Sequence, residues 1–173
     1  MDYLYAPWRS EYFGGNKDFC VFCAISQGIN LHTNTQESIA QADSLNRIFY
    51  RDDKIFCVMN KFPYTPGHFL IIPHAHTNSP EFLNLETWLH LQKFAQKGVA
   101  LLKEFGANGV NMGINIERAG GAGIPEHLHL HLVPRFLGDT NFLTAIGDAR
   151  VYGVDFDAIF KRIKKLSQVH FVF

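Results

Sequence analysis

HLHLHLVPRF, residues 127–136, alternates histidine and leucine over six positions, which are followed by Val133 and Pro134. Because side chains alternate between the two faces of a β-strand, this pattern predicts a strand with His127, His129 and His131 on one face and the leucines on the other. Neighbours on one face lie about 6.6 Å apart, so the imidazoles would form a continuous ridge. One histidine on a strand is most often an ordinary polar residue, whereas three in register indicate a function.

The segments around this strand carry strand patterns of their own. Residues 45–51 and 54–60 are rich in β-branched and aromatic side chains, and the two aspartates between them predict a hairpin. Residues 68–73, HFLIIP, predict a third strand that ends at a proline. Residues 109–116, GVNMGINI, predict a strand immediately before the glycine-rich connection to the histidines.

Two helices complete the predicted architecture. Apolar residues recur at intervals of three and four over residues 79–105, which predicts one long amphipathic helix that Gly106 ends. The same period over residues 156–166 predicts a carboxy-terminal helix. Strands, helix, strands and helix in this order indicate an α+β fold with a largely antiparallel sheet. Because the sequence shows no internal repeat and no linker, we expect one domain over residues 1–173.

Composition and charge exclude several classes of protein. The chain is 47% hydrophobic and 18% charged, which excludes intrinsic disorder. Sixteen Lys and Arg balance sixteen Asp and Glu, which argues against broad binding to nucleic acid or an anionic membrane. The longest apolar run, residues 19–25, is far shorter than the ~20 residues that cross a bilayer, and no secretory signal is visible. We therefore expect a cytoplasmic protein whose partner is a small molecule.

The histidine ridge suits chemistry at phosphorus. A neutral imidazole is a good nucleophile near pH 7, and a neighbouring cationic imidazole can stabilise phosphate charge. The loop AGGAG, which contains Gly121 and Gly123, lies just before the histidines and can bring backbone N–H groups close to an anion. Together the two features predict a phosphate-binding site.

The cysteines suggest a second site. Cys20 and Cys23 have a spacing that lets both thiolates reach one tetrahedral ion, but a structural metal site needs two further ligands. Thioredoxin-like redox chemistry and simple packing remain alternatives for this pair. Cys57 lies inside the apolar stretch IFCVM and is predicted to be a core residue.

The chain resembles the histidine triad family of nucleotide hydrolases and transferases. HLHLHLV has the family's form, and further matching motifs are NKFPYTPGHFLIIP at residues 60–73, PWR at 7–9 and PRFLGDTNF at 134–142. The similarity is greatest to the bacterial branch related to diadenosine tetraphosphate phosphorylases and fragile-histidine-triad hydrolases. The resemblance implies an antiparallel sheet with a long helix and a homodimer.

The resemblance also implies a mechanism. His129 would attack the α-phosphate of a dinucleoside polyphosphate and form a nucleotidyl-histidine, from which water or phosphate releases the mononucleotide, such as AMP. His131 would contact the phosphate, and the backbone carbonyl of His127 would hold the His129 tautomer. Hydrolysis of nucleoside phosphoramidates and nucleotide binding without turnover are alternatives. A catalytic zinc held by all three histidines is disfavoured because they span about 13 Å along the strand.

The resemblance assigns nucleotide contacts as well. Asn60 matches the residue that binds the ribose, and His68 matches a further active-site histidine. The sequence departs from the hydrolases where a glutamine should bind phosphate, because Ile116 stands there. Asn115 or the amides of the glycine-rich loop are expected to replace it.

Zinc-containing relatives suggest how the metal site is completed. Their pattern matches Cys20, Cys23, His76 and His127, which implies a structural zinc that ties the amino-terminal segment to the histidine strand. His74 is the alternative ligand, since it lies only two residues from His76.

Overall fold

A computed structural model describes residues 19–142, 146 and 154–172 of the chain; the PWR motif at residues 7–9 lies outside them. The described helices are α1 Val21–Ser26, α2 Ile39–Leu45, α3 Leu85–Phe105 and α4 Phe156–His170, with a 3-10 turn at Pro80–Phe82. The described strands are β1 Ile29–Asn30, β2 Thr35–Gln36, β3 Ile48–Arg51, β4 Ile55–Met59, β5 Phe69–Pro73, β6 Gly109–Ile114 and β7 Leu130–Arg135.

Five strands form one antiparallel sheet in the order β3-β4-β5-β7-β6. The predicted hairpin of β3 and β4 is confirmed, with a register shift between Ile48 and Tyr50. The last strand, β7, inserts between β5 and β6, so that His131 lies opposite Leu70 on one side and Gly113 on the other. The histidine strand is therefore an interior strand, paired on both sides. The predicted α+β fold with an antiparallel sheet is confirmed.

The histidine strand is shorter than the alternating pattern predicts. Regular pairing begins only at Leu130, and His127 and His129 lie in the segment that leads into it. The N–H of Leu128 donates to the carbonyl of Thr77 at 2.6 Å, outside the sheet ladder. This segment pairs with a loop instead of a strand, which the periodicity of its side chains cannot reveal.

The long helix also begins later than predicted. Residues 80–82 form a 3-10 turn, and Asn84 caps α3 by accepting a hydrogen bond from the N–H of Glu86 at 2.8 Å. The predicted end is confirmed at Gly106, whose φ of 117° is the left-handed conformation that favours glycine. Gly98 allows the close approach of α3 to the sheet, because a Cβ there would lie 2.7 Å from Leu132 Cδ2. Among the described residues, no helix has the length and apolar character that a membrane span requires.

The two faces of the sheet pack against different elements. One face and the helices α3 and α4 form a cluster that includes Cys57, Phe69, Ile71, Leu130 and Leu132. The other face packs against α1 in a cluster that includes Phe22, Ile25, Phe56, Val58, Leu70 and Ile72. The leucines thus anchor β7 on the helical side, and the predicted core position of Cys57 is confirmed by its complete burial.

Candidate active site and metal site

His129 is held with one ring nitrogen protonated and the other carrying a lone pair. Its Nδ1 lies 2.7 Å from the backbone oxygen of His127. A carbonyl oxygen can only accept, so Nδ1–H donates and the lone pair of the neutral ring is on Nε2. Burial lowers the pKa of His129, and the hydrogen bond to the carbonyl opposes this only in part. The ring is therefore mostly neutral at pH 7, as a nucleophile must be.

His131 is oriented by a chain of hydrogen bonds that begins at a backbone amide. The N–H of Tyr64 donates to His68 Nδ1 at 3.1 Å, and His68 Nε2 lies 3.0 Å from His131 Nδ1. Because the first contact makes Nδ1 of His68 an acceptor, a neutral His68 carries its proton on Nε2 and donates to His131. Nδ1 of His131 then accepts, and the proton of the neutral His131 ring is on Nε2.

Aromatic contacts bring these rings together. The ring centroids of His129 and His131 are 4.9 Å apart, and those of His68 and His131 are 5.2 Å apart. Tyr64 stacks on His68 with a centroid distance of 4.9 Å, and Phe22 packs 5.1 Å from His129. A ring with a lone pair on Nε2 therefore lies next to a ring with a proton on Nε2.

Asn60 belongs to the same network. Its Nδ2 lies 3.3 Å from both ring nitrogens of His68, and its Oδ1 accepts from the N–H of Phe62 at 2.9 Å. The backbone N–H of Asn60 also donates to the carbonyl of His68 at 3.1 Å. The structure thus brings Asn60 and His68 together with His129 and His131, which lie more than 60 positions later in the sequence.

The glycine-rich loop is closed by its own backbone hydrogen bonds. The amide of Gly121, expected to bind phosphate, donates instead to the carbonyl of Arg118 at 3.0 Å. Gly123 lies exposed in the same loop. Asn115 follows the residue that pairs with Leu130, and its Nδ2 lies 3.5 Å from the oxygen of Gly121.

One glycine of this loop was not singled out by the sequence. A Cβ at Gly120 would lie 2.2 Å from the backbone oxygen of Ile116, so no other residue fits there without a shift of the backbone. The turn at residues 117–121 therefore depends on Gly120 for its close approach.

The four predicted metal ligands converge. Single donor atoms of Cys20, Cys23, His76 and His127 all lie within 4.8 Å of one another. Cys20 Sγ is 3.3 Å from His127 Nδ1, and Cys23 Sγ is 3.1 Å from His76 Nδ1 and 3.6 Å from His127 Nδ1. In a tetrahedral zinc site, sulfur and nitrogen ligands are about 3.6 Å apart, so this donor set fits the ion.

His127 connects the metal group to His129. Its Nε2–H donates to the carbonyl of Pro73 at 2.9 Å, which turns Nδ1 toward the thiols. Burial lowers the pKa of His127 to about 4, so the ring is neutral, as a metal ligand must be. Its carbonyl meanwhile accepts from His129. His127 is therefore a member of the metal group and also fixes the tautomer of His129.

The thiol of Cys23 is poorly suited to redox catalysis. Burial and the neighbouring Cys20 raise the pKa of Cys23 to about 11, whereas reactive thiols have lowered pKa values. A bound cation would offset this penalty by stabilising the thiolate. The chemistry of the pair thus favours a metal over a thioredoxin-like role.

His74 is not a member of the metal group, so the alternative ligand assignment is wrong. Its Nε2–H donates to the carbonyl of Asp52 at 3.0 Å, and Ser26 Oγ–H donates to its Nδ1 at 2.6 Å. These contacts join the end of α1 to the β3-β4 turn. Spacing alone could not separate His74 from His76, because both lie just beyond β5.

The sequence also gave no reason to single out two aromatic residues of the site. Phe22 lies between the two cysteines and contacts both His127 and His129, with centroid distances of 5.5 and 5.1 Å. Tyr64 stacks on His68. Both contacts join distant parts of the chain, and only the position of Phe22 inside CVFC hinted at a role near the metal group.

Comparisons with known proteins point to one family. A family model for the HIT domain matches residues 41–138. The chain is 34% identical over 111 residues to an AP-4-A phosphorylase of Mycobacterium tuberculosis, covering 64% of this chain and 57% of that protein. It is 29% identical over 91 residues to a bis(5'-adenosyl)-triphosphatase of Dictyostelium discoideum, covering 52% of this chain and 60% of that protein. The chain therefore spans little more than half the length of these relatives.

A solved structure agrees with this grouping. The crystal structure of a zinc-bound histidine triad family protein from Mycobacterium smegmatis aligns with a TM-score of 0.65 and 26% sequence identity. The alignment covers 87% of this chain and 94% of that chain.

Proposed function

The chain belongs to the HIT domain family, the histidine triad proteins, and from that membership we propose that it cleaves dinucleoside polyphosphates at the α-phosphate through a nucleotidyl-histidine. Diadenosine tetraphosphate is the substrate we would test first, since the phosphorylase relative acts on it by name. The second acceptor is water or orthophosphate.

One observation carries the proposal, namely the hydrogen bonds that assign opposite protonation states to Nε2 of two adjacent rings. The lone pair of His129 is on Nε2, because its Nδ1–H donates to the carbonyl of His127. The proton of His131 is on its own Nε2, because His68 donates to its Nδ1. A nucleophile beside a hydrogen-bond donor is the pair that substitution at a phosphate requires.

The first chemical step forms the covalent intermediate. The lone pair of His129 Nε2 attacks the α-phosphorus, a P–N bond forms, and the bond from phosphorus to the bridging oxygen breaks. That oxygen leaves with the remaining polyphosphate and keeps the electron pair. His129 retains its Nδ1 proton, and the carbonyl of His127 stabilises the resulting imidazolium. The Nε2–H of His131 donates to a non-bridging oxygen of the α-phosphate.

The second step regenerates the imidazole. An oxygen of water or orthophosphate attacks the same phosphorus, the P–N bond breaks, and its electron pair returns to Nε2. With water the product is AMP and a proton passes to solvent; with orthophosphate the product is ADP. Asn60 is proposed to bind the ribose, and Asn115 together with Gly121 and Gly123 of the glycine-rich loop to border the phosphates.

We propose a structural zinc held by Cys20, Cys23, His76 and His127. The ion would act as a crosslink, because protein atoms fill all four positions and none is left for water. The spacing of the donor atoms and the zinc-bound relative support it. What the chain itself contributes is the hydrogen bond from His127 Nε2 to Pro73, which orients the ligand.

The remaining expectations on assembly and location also stand as proposals. We propose a homodimer, in keeping with the family resemblance and with the position of β6 at the margin of the sheet, where Met112 is exposed. We further propose that residues 1–173 act as one domain in the cytoplasm on a small-molecule nucleotide, without nucleic acid or membrane partners.

Incubation with diadenosine tetraphosphate, with and without orthophosphate, tests the proposed activity. ADP and ATP that form only with phosphate would identify a phosphorylase, and AMP and ATP would identify a hydrolase. His129→Ala should abolish turnover and still bind AMP. If that variant turns over normally, or if the wild-type protein only binds nucleotide, the proposed function is wrong.

A further inference from the structure

A cavity of about 400 Å³ lies beside the metal group, and none of the roles above uses it. The residues that line it are His76, Thr77, Asn78, Phe82 and Glu126. Phe82 is 73% exposed although it borders the cavity. An exposed aromatic ring beside polar groups can serve as a contact surface for a ligand.

The cavity adjoins the catalytic segment. The carbonyl of Thr77 accepts from the N–H of Leu128 at 2.6 Å, so one wall runs beside the residue between His127 and His129. Three residues of extended chain span at most about 11 Å, so the Cα of Glu126 lies within that distance of the Cα of His129. The cavity therefore lies within the length of a dinucleoside polyphosphate whose α-phosphate is at His129.

The wall that carries Phe82 is fixed by its own hydrogen bonds. The N–H of Phe82 donates to the carbonyl of Ser79 at 3.3 Å, and the N–H of Leu83 donates to that of Pro80 at 3.1 Å. Leu83, the residue after this 3-10 turn, is buried, whereas Phe82 at the end of the turn is exposed. The ring is positioned before any ligand arrives, which reduces the entropy lost on binding.

The groups around Phe82 match a nucleobase. An exposed aromatic ring offers a stacking surface for any base, and the Glu126 carboxylate can accept from an exocyclic amino group. The side-chain amide of Asn78 can donate a hydrogen bond. Its Nδ2 lies 3.4 Å from Glu117 Oε1, which connects this edge of the cavity to the turn that carries the glycine-rich loop. An apolar contact surface for another protein would instead be expected to exclude a carboxylate and an amide from its centre.

We propose that this cavity binds the base of the second nucleoside, the one that leaves with the polyphosphate. The inference rests on the proposed function and adds a specificity site to it. Phe82 is the stacking residue, and Asn78 and Glu126 contact the edge of the base. The enzyme would then prefer a substrate with a nucleoside at both ends over one with a bare polyphosphate end.

The test compares two substrates that differ only in the second nucleoside, diadenosine tetraphosphate and adenosine 5′-tetraphosphate. Phe82→Ala should raise KM for the dinucleoside compound about tenfold, as expected for the loss of one stacked base. Its kcat, and both constants for adenosine tetraphosphate, should stay unchanged. Phe82→Tyr should restore the dinucleoside KM, and Leu89→Ala, which removes another exposed apolar side chain, should behave as wild type.

Two results would overturn the inference. Phe82→Ala could leave KM for both compounds unchanged, or it could alter both equally, most clearly if sedimentation showed that a dimer had dissociated. Either result would assign Phe82 another role while the proposed function stood. If the wild-type protein cleaved neither compound, the proposed function itself would fail, and the cavity assignment with it.

Discussion

Replacing His68 by leucine tests the hydrogen-bond chain that fixes the protonation of His131. His68 is completely buried, and its Nε2–H is the donor to His131 Nδ1 at 3.0 Å. Leucine fills the buried position with an apolar side chain but has no hydrogen-bond donor. His131 can then carry its proton on Nδ1 and present the lone pair of Nε2 to the phosphate. A hydrogen bond to a group that carries charge contributes about 1.5–3 kcal/mol, which corresponds to a loss of about 10- to 150-fold in kcat.

Steady-state kinetics on diadenosine tetraphosphate give the assay, and a matched variant gives the control. His68→Gln places an amide N–H where it can still donate and should recover most of kcat. KM should change less than kcat, because the donor acts on the reacting phosphate. A folded His68→Leu protein, judged by an unchanged thermal unfolding midpoint, that keeps kcat within twofold of wild type would refute the assigned tautomers.

Three further predictions concern the supports of the site. Cys23→Ser should abolish stoichiometric zinc binding and lower kcat, because the carbonyl of His127 would be held less firmly. Elemental analysis and steady-state kinetics measure the two effects, and full activity without zinc would contradict the prediction. Gly120→Ala should raise KM because its Cβ meets a backbone oxygen at 2.2 Å, whereas Ala119→Ser serves as the control. Burial raises the pKa of Asp52, but hydrogen bonds from His90, from the backbone and from Tyr50 outweigh it and leave the pKa lowered. The unfolded chain then binds the extra proton, so this stabilisation is complete above the unfolded pKa of about 3.9 and is lost as pH falls through the folded value. In urea unfolding between pH 2 and 6, the free energy of unfolding of Asp52→Asn should therefore fall less steeply with decreasing pH than that of the wild-type protein. The same steepness in both proteins would contradict the assignment.

The strands and long helices were predictable because each carries its own periodicity. The alternation in residues 127–136 identified which face of β7 is buried, and Leu130 and Leu132 indeed pack against the helices. The start of that strand was not predictable, because the pairing of Leu128 with Thr77 depends on a loop 51 positions earlier in the chain. The helix α1 has only six residues, too few for a periodic pattern.

The sequence predicted which residues lie together at the candidate site, but only part of their contacts. The resemblance brought Asn60 and His68 to the histidines, and the structure joins them in one network. The direction of the hydrogen-bond chain from Tyr64 through His68 could not be read from sequence, since it follows from backbone geometry in the loop before β5. Gly121 was expected to offer its amide to an anion, but a local turn uses it.

Isolation of the covalent intermediate tests the central claim most directly. Protein quenched during turnover of diadenosine tetraphosphate should be digested at neutral or alkaline pH, because P–N bonds are labile in acid, and mapped by mass spectrometry. An adenylyl group on the peptide that contains His129, absent from the His129→Ala protein, is the predicted result. An adenylyl group on another residue, or steady turnover with no adduct in rapid-quench samples, would contradict the mechanism.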